Sequence, residues 1–254
     1  SDFSVAEYQR RARAAILDIA KRGALPILVG GAGLYVHAVL CEMDFSAPPR
    51  GRAFRESLLR EAAESGALRL HERLREADPE AAARIHPNNA KRLVRALEIL
   101  ENAGAEGLRP FSAAAAPWRA VRPLILLLTR DRAELCARIE RRVDALIEAG
   151  LVREVEELAA RGLSEGSVAM KGIGYKELFG YLRGEYGLDR AVELIKRNSR
   201  RYAKRQITWF KRYENATEIN LSACADDADA LAKALEAWRR FRAAGPEGGI
   251  QGIQ

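Results

Sequence analysis

The sequence predicts an α/β protein, a parallel sheet flanked by helices and interrupted by an all-helical insertion. Two short apolar runs, Leu25–Val29 and Leu124–Leu128, lack the alternation of a half-exposed strand, and each is soon followed by helical spacing. Between them the composition turns charged and helical from about Asp44 to Trp118. At 254 residues the chain is long enough for one large core that carries an insertion.

In chain order, residues 4–22 place Val5, Tyr8, Ala12, Ala15, Ile16 and Ile19 at helical steps, and Gly23 is a helix stop. Leu25–Val29 reads as a strand buried on both faces and closed by Gly30-Gly31, with a second helix from near Gly33. Pro48, Pro49 and Gly51 lead into the insertion, and Pro110 to Pro117 leads out. Inside it, 53–65, 67–77 and 88–102 carry apolar residues three and four apart. Arg122-Pro123 opens the strand Leu124–Leu128, a helix runs from Arg132, and Thr217–Leu221 is a third candidate strand. The expected organisation is a discontinuous core at 1–43 and 119–242, an insertion at 44–118, and a disordered tail at 243–254, rich in Gly and Gln.

No apolar run approaches the roughly 18 residues of a membrane helix, so a transmembrane protein is not expected. The opening SDFSVAEYQRRARAAI lacks the parts of a secretory signal. Cys41, Cys136 and Cys224 are far apart, which excludes a disulfide framework or zinc knuckle and fits the cytoplasm. Lys and Arg outnumber Asp and Glu by 42 to 35, and the excess is clustered: eight basic residues and no acid lie between Lys196 and Arg212. Such a cluster favours a polyanionic partner.

Five segments could carry chemistry. LVGGAGLY, residues 28–35, would end a buried strand at Gly30, Gly31 and Ala32 and start a helix at once, either to bind a ligand above the sheet or merely to turn tightly. In IHPNNAKRLVRALE, residues 85–98, Asn88 can cap a helix whose Leu93, Leu97 and Leu100 face inward. Lys91, Arg92 and Arg95 then form either a phosphate-binding patch or a solvated face. Arg138 and Arg142 are four apart on a helix and could clamp a diphosphate, or pair with Glu134 and Glu140. Lys171-Gly172-Ile173-Gly174-Tyr175-Lys176 sets lysine in a glycine turn ahead of a helix, an anion site or an ordinary turn. In the last, Ser199–Lys211, Arg197, Arg201, Arg205, Thr208 and Arg212 share one helical stripe while Tyr202, Ile207, Trp209 and Phe210 anchor the other side. A solvated helix would mix charge signs at this spacing, so nucleic acid or nucleotide phosphate is the better reading.

These five blocks, in this order and over nearly the whole chain, resemble the tRNA dimethylallyltransferase family. The resemblance implies a core like that of the P-loop NTPases with the insertion as a tRNA-gripping lobe. It implies transfer of a dimethylallyl group from dimethylallyl diphosphate to N6 of the adenosine beside the tRNA anticodon, with the base extruded to meet the donor in a tunnel. On that basis Arg142, with Arg138, faces the diphosphate. Lys91, Arg92, Leu93, Val94 and Arg95 contact tRNA, and Lys171–Lys176 and Lys204, Arg205, Gln206, Ile207, Thr208, Trp209, Phe210 and Lys211 line the tRNA and donor channel. Mg²⁺ and cations would stabilise the departing diphosphate and a carboxylate would take the N6 proton. A monomer is expected.

Two departures stand out. The family's GxxxxGK[ST] loop and the strand end bearing its catalytic aspartate have no counterpart here, so the chain is expected to be truncated at its N-terminus, without Mg²⁺ ligands and inactive as given. Ala32 stands where the family usually has threonine. Competing readings are a prenyltransferase of free adenine nucleotides, which would have no use for the insertion, and a non-catalytic RNA-binding module.

Overall fold

The computed structural model describes residues 3–43, 52–103, 116–164 and 167–245. They fall into two compact units, one formed by residues up to His37 and from Arg119 onward, the other by Ala38–Trp118. The expected tail beyond Gly245 and most of the Pro110–Pro117 lead-out lie outside the described residues.

Helix α1 (Val5–Lys21) starts where Ser4 Oγ accepts from the Glu7 amide, and it ends before Gly23, whose φ of +72° suits glycine. Helix α2 (Gly33–Leu40) follows a stretch that corrects the first expected strand: 24–32 has no regular structure, and Ile27 and Val29 are 76% and 87% exposed. An apolar run becomes a strand only when a neighbour takes up its backbone groups and covers its side chains, and among the described residues none pairs with Leu25–Val29.

The second unit is helical. Helices α3 (Arg52–Ser65), α4 (Ala67–Ala77), α5 (Pro79–Ala83) and α6 (Ala90–Ala103) enclose a core of Leu58, Leu70, Leu74, Leu93, Val94 and Leu97. Asn89, not Asn88, caps α6: its Oδ1 accepts from the Arg92 amide at 3.3 Å, while the Asn88 amide donates to His86 Nδ1. The two ends of the unit meet in a backbone clasp: Cys41 bridges Pro117 antiparallel, the Glu42 amide donates to Ala116 O at 2.7 Å, and the Trp118 amide to Leu40 O at 2.8 Å.

Returning to the first unit, β1 (Leu126–Thr129) precedes α7 (Arg132–Glu148), α8 (Leu151–Ala160), α9 (Tyr175–Leu182), α10 (Leu188–Phe210), β2 (Thr217–Asn220) and α11 (Asp227–Ala243). The two strands pair in parallel with Leu126 opposite Thr217, and they form the whole sheet among the described residues. Helices α7 to α10 share a core of Val143, Val155, Met170, Leu178, Ala191 and Ile195. The described structure is thus mostly helical with one small parallel sheet, and no described helix is long and apolar enough to cross a membrane.

Candidate nucleic-acid interface and active site

The longest described helix, α10, commits two of its cations to half-buried ion pairs with α7. Lys196 Nζ lies 2.6 Å from Asp144 and Arg200 Nη1 2.5 Å from Glu140, which fixes α10 against α7. Arg197, Arg201, Lys204 and Arg205 are exposed and have no acidic partner among the described residues, so the stripe of like charge is real. Thr208 is exposed beside them, and its hydroxyl donates to Lys204 O. One expected anchor moves to the outer face: Tyr202 is exposed, with the Arg205 guanidinium 5.6 Å from its ring centre. Phe210 is buried, and Ile207 and Trp209 are partly so.

The inner side of α10 explains the glycines of LVGGAGLY. Gln206 Nε2 donates to Gly31 O at 3.0 Å, and a Cβ on Gly31 would collide with that amide. A Cβ on Gly33 would overlap the Trp209 indole, whereas Gly30 has open space. Gly31 and Gly33 therefore allow α10 to close on the turn. One turn into α2, buried His37 places Nδ1 3.1 Å from the Tyr213 hydroxyl, with the Trp209 ring edge-on at 6.3 Å. Burial first, then the nearby Arg212 charge, lowers its pKa below the ordinary histidine value.

The 171–176 turn is joined to the same helix. Gly174 has a φ of +102°, and its amide donates to the buried Glu177 carboxylate at 2.8 Å. The other Glu177 oxygen accepts from Asn198 Nδ2 of α10 at 2.7 Å, and the Tyr186 hydroxyl donates to the Glu177 carbonyl. Tyr175 donates to Glu154 at 2.6 Å, a bond that raises the phenol pKa. Lys171, Gly172, Ile173 and Lys176 remain exposed.

Arg138 and Arg142 are exposed on α7, but the acids suggested for them are engaged elsewhere. Glu134 holds Arg130 and Ser222, each at 2.5 Å, and Glu140 holds Arg200. The Ser222 bond leads the causes that lower the Glu134 pKa, with the charge of Arg138 a smaller one. Arg142 has no acidic partner among the described residues. Glu140 and Asp144 mark the side of α7 that meets α10, and at about 100° per residue Arg138 and Arg142 project from the opposite side.

In the second unit, Lys91 and Arg92 are exposed and Arg95 is partly so. Leu93 and Val94 are not surface residues: both are fully buried in the helical core, which leaves the cations around them at the surface.

The IPP transferase family profile matches residues 1–213. The chain belongs to this family. It is 44% identical over 235 residues to the tRNA dimethylallyltransferase of Alkaliphilus oremlandii, covering 91% of this chain and 75% of that one. To the Geobacillus thermodenitrificans enzyme of the same name it is 49% identical over 216 residues, 82% and 66% of the two chains. The crystal structure of the tRNA isopentenylpyrophosphate transferase of Bacillus halodurans matches 95% of this chain and 77% of its own with a TM-score of 0.62 and 37% identity. The chain thus spans about two thirds to three quarters of the length of these family members.

Three residues that tie these segments together escaped sequence reasoning: Glu177, Asn198 and His37. Gly174 followed three positions later by Glu177 is the capping pattern that could have flagged the first. Asn198, an amide amid cations, and His37, one turn beyond the glycines, carry no comparable local signal. Among the described residues no three His, Cys, Asp or Glu side chains gather as a metal site, so none is assigned to Mg²⁺.

Proposed function

We propose that this protein transfers a dimethylallyl group from dimethylallyl diphosphate to N6 of the adenosine adjacent to the tRNA anticodon. In that reaction the donor's C–O bond breaks, diphosphate departs, a C–N bond forms at N6, and a carboxylate takes the N6 proton. Family membership and the observation that Arg197, Arg201, Lys204 and Arg205 have no acidic partner among the described residues support the reading. These cations, with Lys211 and the Lys171 and Lys176 turn, hold the RNA backbone. Gln206 and Trp209 hold the helix against the Gly31–Gly33 turn from within. Lys91, Arg92 and Arg95 of the insertion at 44–118 grip tRNA as well. Arg142, with Arg138, faces the diphosphate, and the core is that of a P-loop NTPase-like fold using Mg²⁺ on the diphosphate.

The test is transfer of label from dimethylallyl diphosphate to unmodified tRNA by a protein that carries a GxxxxGK[ST] segment ahead of these blocks. Arg142→Ala there lowers kcat roughly 100-fold with the tRNA KM unchanged, as expected of a cation acting on developing charge. A change in tRNA KM alone would remove Arg142 from the donor site. Label on a tRNA without that adenosine would refute the acceptor assignment.

A further inference from the structure

The helical unit contains a buried carboxylate that neither its packing nor the reading above uses. Glu98 on α6 is completely buried inside an otherwise apolar core. Two arginines from different helices reach it: Arg95 Nη1 of α6 lies 3.5 Å from Oε2, and Arg55 Nη1 of α3 lies 3.8 Å from Oε1. The first is at most a long hydrogen bond and the second is none, so Oε1 has no hydrogen-bond partner among the described residues. A buried carboxylate is costly unless cations offset it, which draws both guanidiniums toward this place. Yet the attraction leaves their donors largely unspent. Each guanidinium has five N–H groups, both side chains are about half exposed, and Arg55 makes no hydrogen bond among the described residues. Two arginines against one glutamate leave a net positive charge, and Lys91 and Arg92 sit one turn earlier on α6.

We infer that Glu98 is a positioning residue that holds Arg55 and Arg95 as a paired clamp for backbone phosphates of tRNA. This rests on the proposed tRNA function and extends it to two residues, Arg55 and Glu98. The arrangement suits a phosphate because two forks drawn together by one buried charge, with their donors still available, lose less freedom than two free side chains when they take up its oxygens.

Glu98→Gln separates this from simple charge attraction. Removing an acid ought to strengthen binding of a polyanion, but loosening the clamp weakens it. Affinity of the full chain for a labelled unmodified tRNA transcript is measured across a salt series, alongside thermal melts. Glu80→Gln, the same charge change at an exposed acid of this unit, serves as the control. Glu98→Gln is expected to weaken binding about fivefold, while Glu80→Gln leaves it equal or tighter. Arg55→Lys, which keeps the charge and loses the fork, also weakens binding about fivefold and carries the test if Glu98→Gln does not fold. Arg55→Ala lowers the log–log salt slope by about 1. Arg55 variants that bind like the wild type, or a folded Glu98→Gln that binds as tightly as Glu80→Gln, overturn the clamp alone. A wild-type chain without salt-dependent tRNA affinity overturns the tRNA reading and the clamp with it.

Discussion

Gly33→Ala should destabilise the protein although every local rule favours it. Gly33 opens α2 without a positive φ, and alanine exceeds glycine in helix propensity by up to about 1 kcal/mol. Local structure alone therefore predicts a neutral or stabilising change. Against this, the added methyl would sit inside contact distance of three atoms of the Trp209 indole, a rigid ring rather than the loose end of a flexible chain. Trp209 can yield only by turning away from His37 and the Arg212 guanidinium, the latter 4.8 Å from its ring centre. Overpacking costs about 1–3 kcal/mol, and with three ring atoms within 2.5 Å of the added methyl the upper part, about 2–3 kcal/mol, applies, so after a propensity gain of about 1 kcal/mol the net effect is a loss of about 1–2 kcal/mol. Urea melts of the wild type, Gly33→Ala, Trp209→Leu and the double variant measure it. The single alanine should lower the midpoint, and in the Trp209→Leu background the same change should cost little, leaving a coupling energy of about 1 kcal/mol or more. If Gly33→Ala is as stable as the wild type, or its cost is the same with and without Trp209, the close approach does not exist.

Affinity for an anticodon stem-loop should fall on added salt with a log–log slope of about −3 or steeper, since the four α10 cations without an acidic partner among the described residues each contribute about 0.7 and the remaining proposed contacts add to them; a flat profile by fluorescence anisotropy would refute the interface. Glu177→Ala should cost about 2–3 kcal/mol by removing the acceptor shared by the Gly174 amide and Asn198, and limited proteolysis should then cut near 171–174, where an uncut wild-type-like pattern would count against the link. Because the folded pKa of His37 lies below the unfolded value of about 6.5, the unfolded chain binds more protons at lower pH, so stability is full above about pH 6.5 and declines as pH falls below it. His37→Asn should flatten that part of the stability-against-pH curve, and an unchanged slope would show that other groups cause it.

Helices were legible from the sequence because their apolar residues repeat at a spacing that only a helix brings to one face, and α3, α4 and α6 follow those stretches closely. Leu25–Val29 was misread because apolar content cannot show whether a partner strand exists, and pairing is a property of two segments. The glycines near residue 31 are visible in the sequence as a tight turn or a ligand site, but the contacts that require them are not. What requires them is Gln206 and Trp209, about 175 residues away in sequence, and no local window contains that fact. The cationic stripe was readable because it lies on one helix, and Leu93 reads as inward from its spacing, whereas the burial of Val94 beside it reflects packing within the helical unit.

The clasp at Cys41 and Pro117 has a consequence for engineering. Because the helical unit leaves and re-enters the chain at adjoining points, its excision asks only for a short connector between two backbones that already touch. Its apolar cluster is built from its own helices. The clasp is therefore the natural joint at which to cut or exchange this unit, since a replacement needs only to bring its two ends to the same antiparallel bridge.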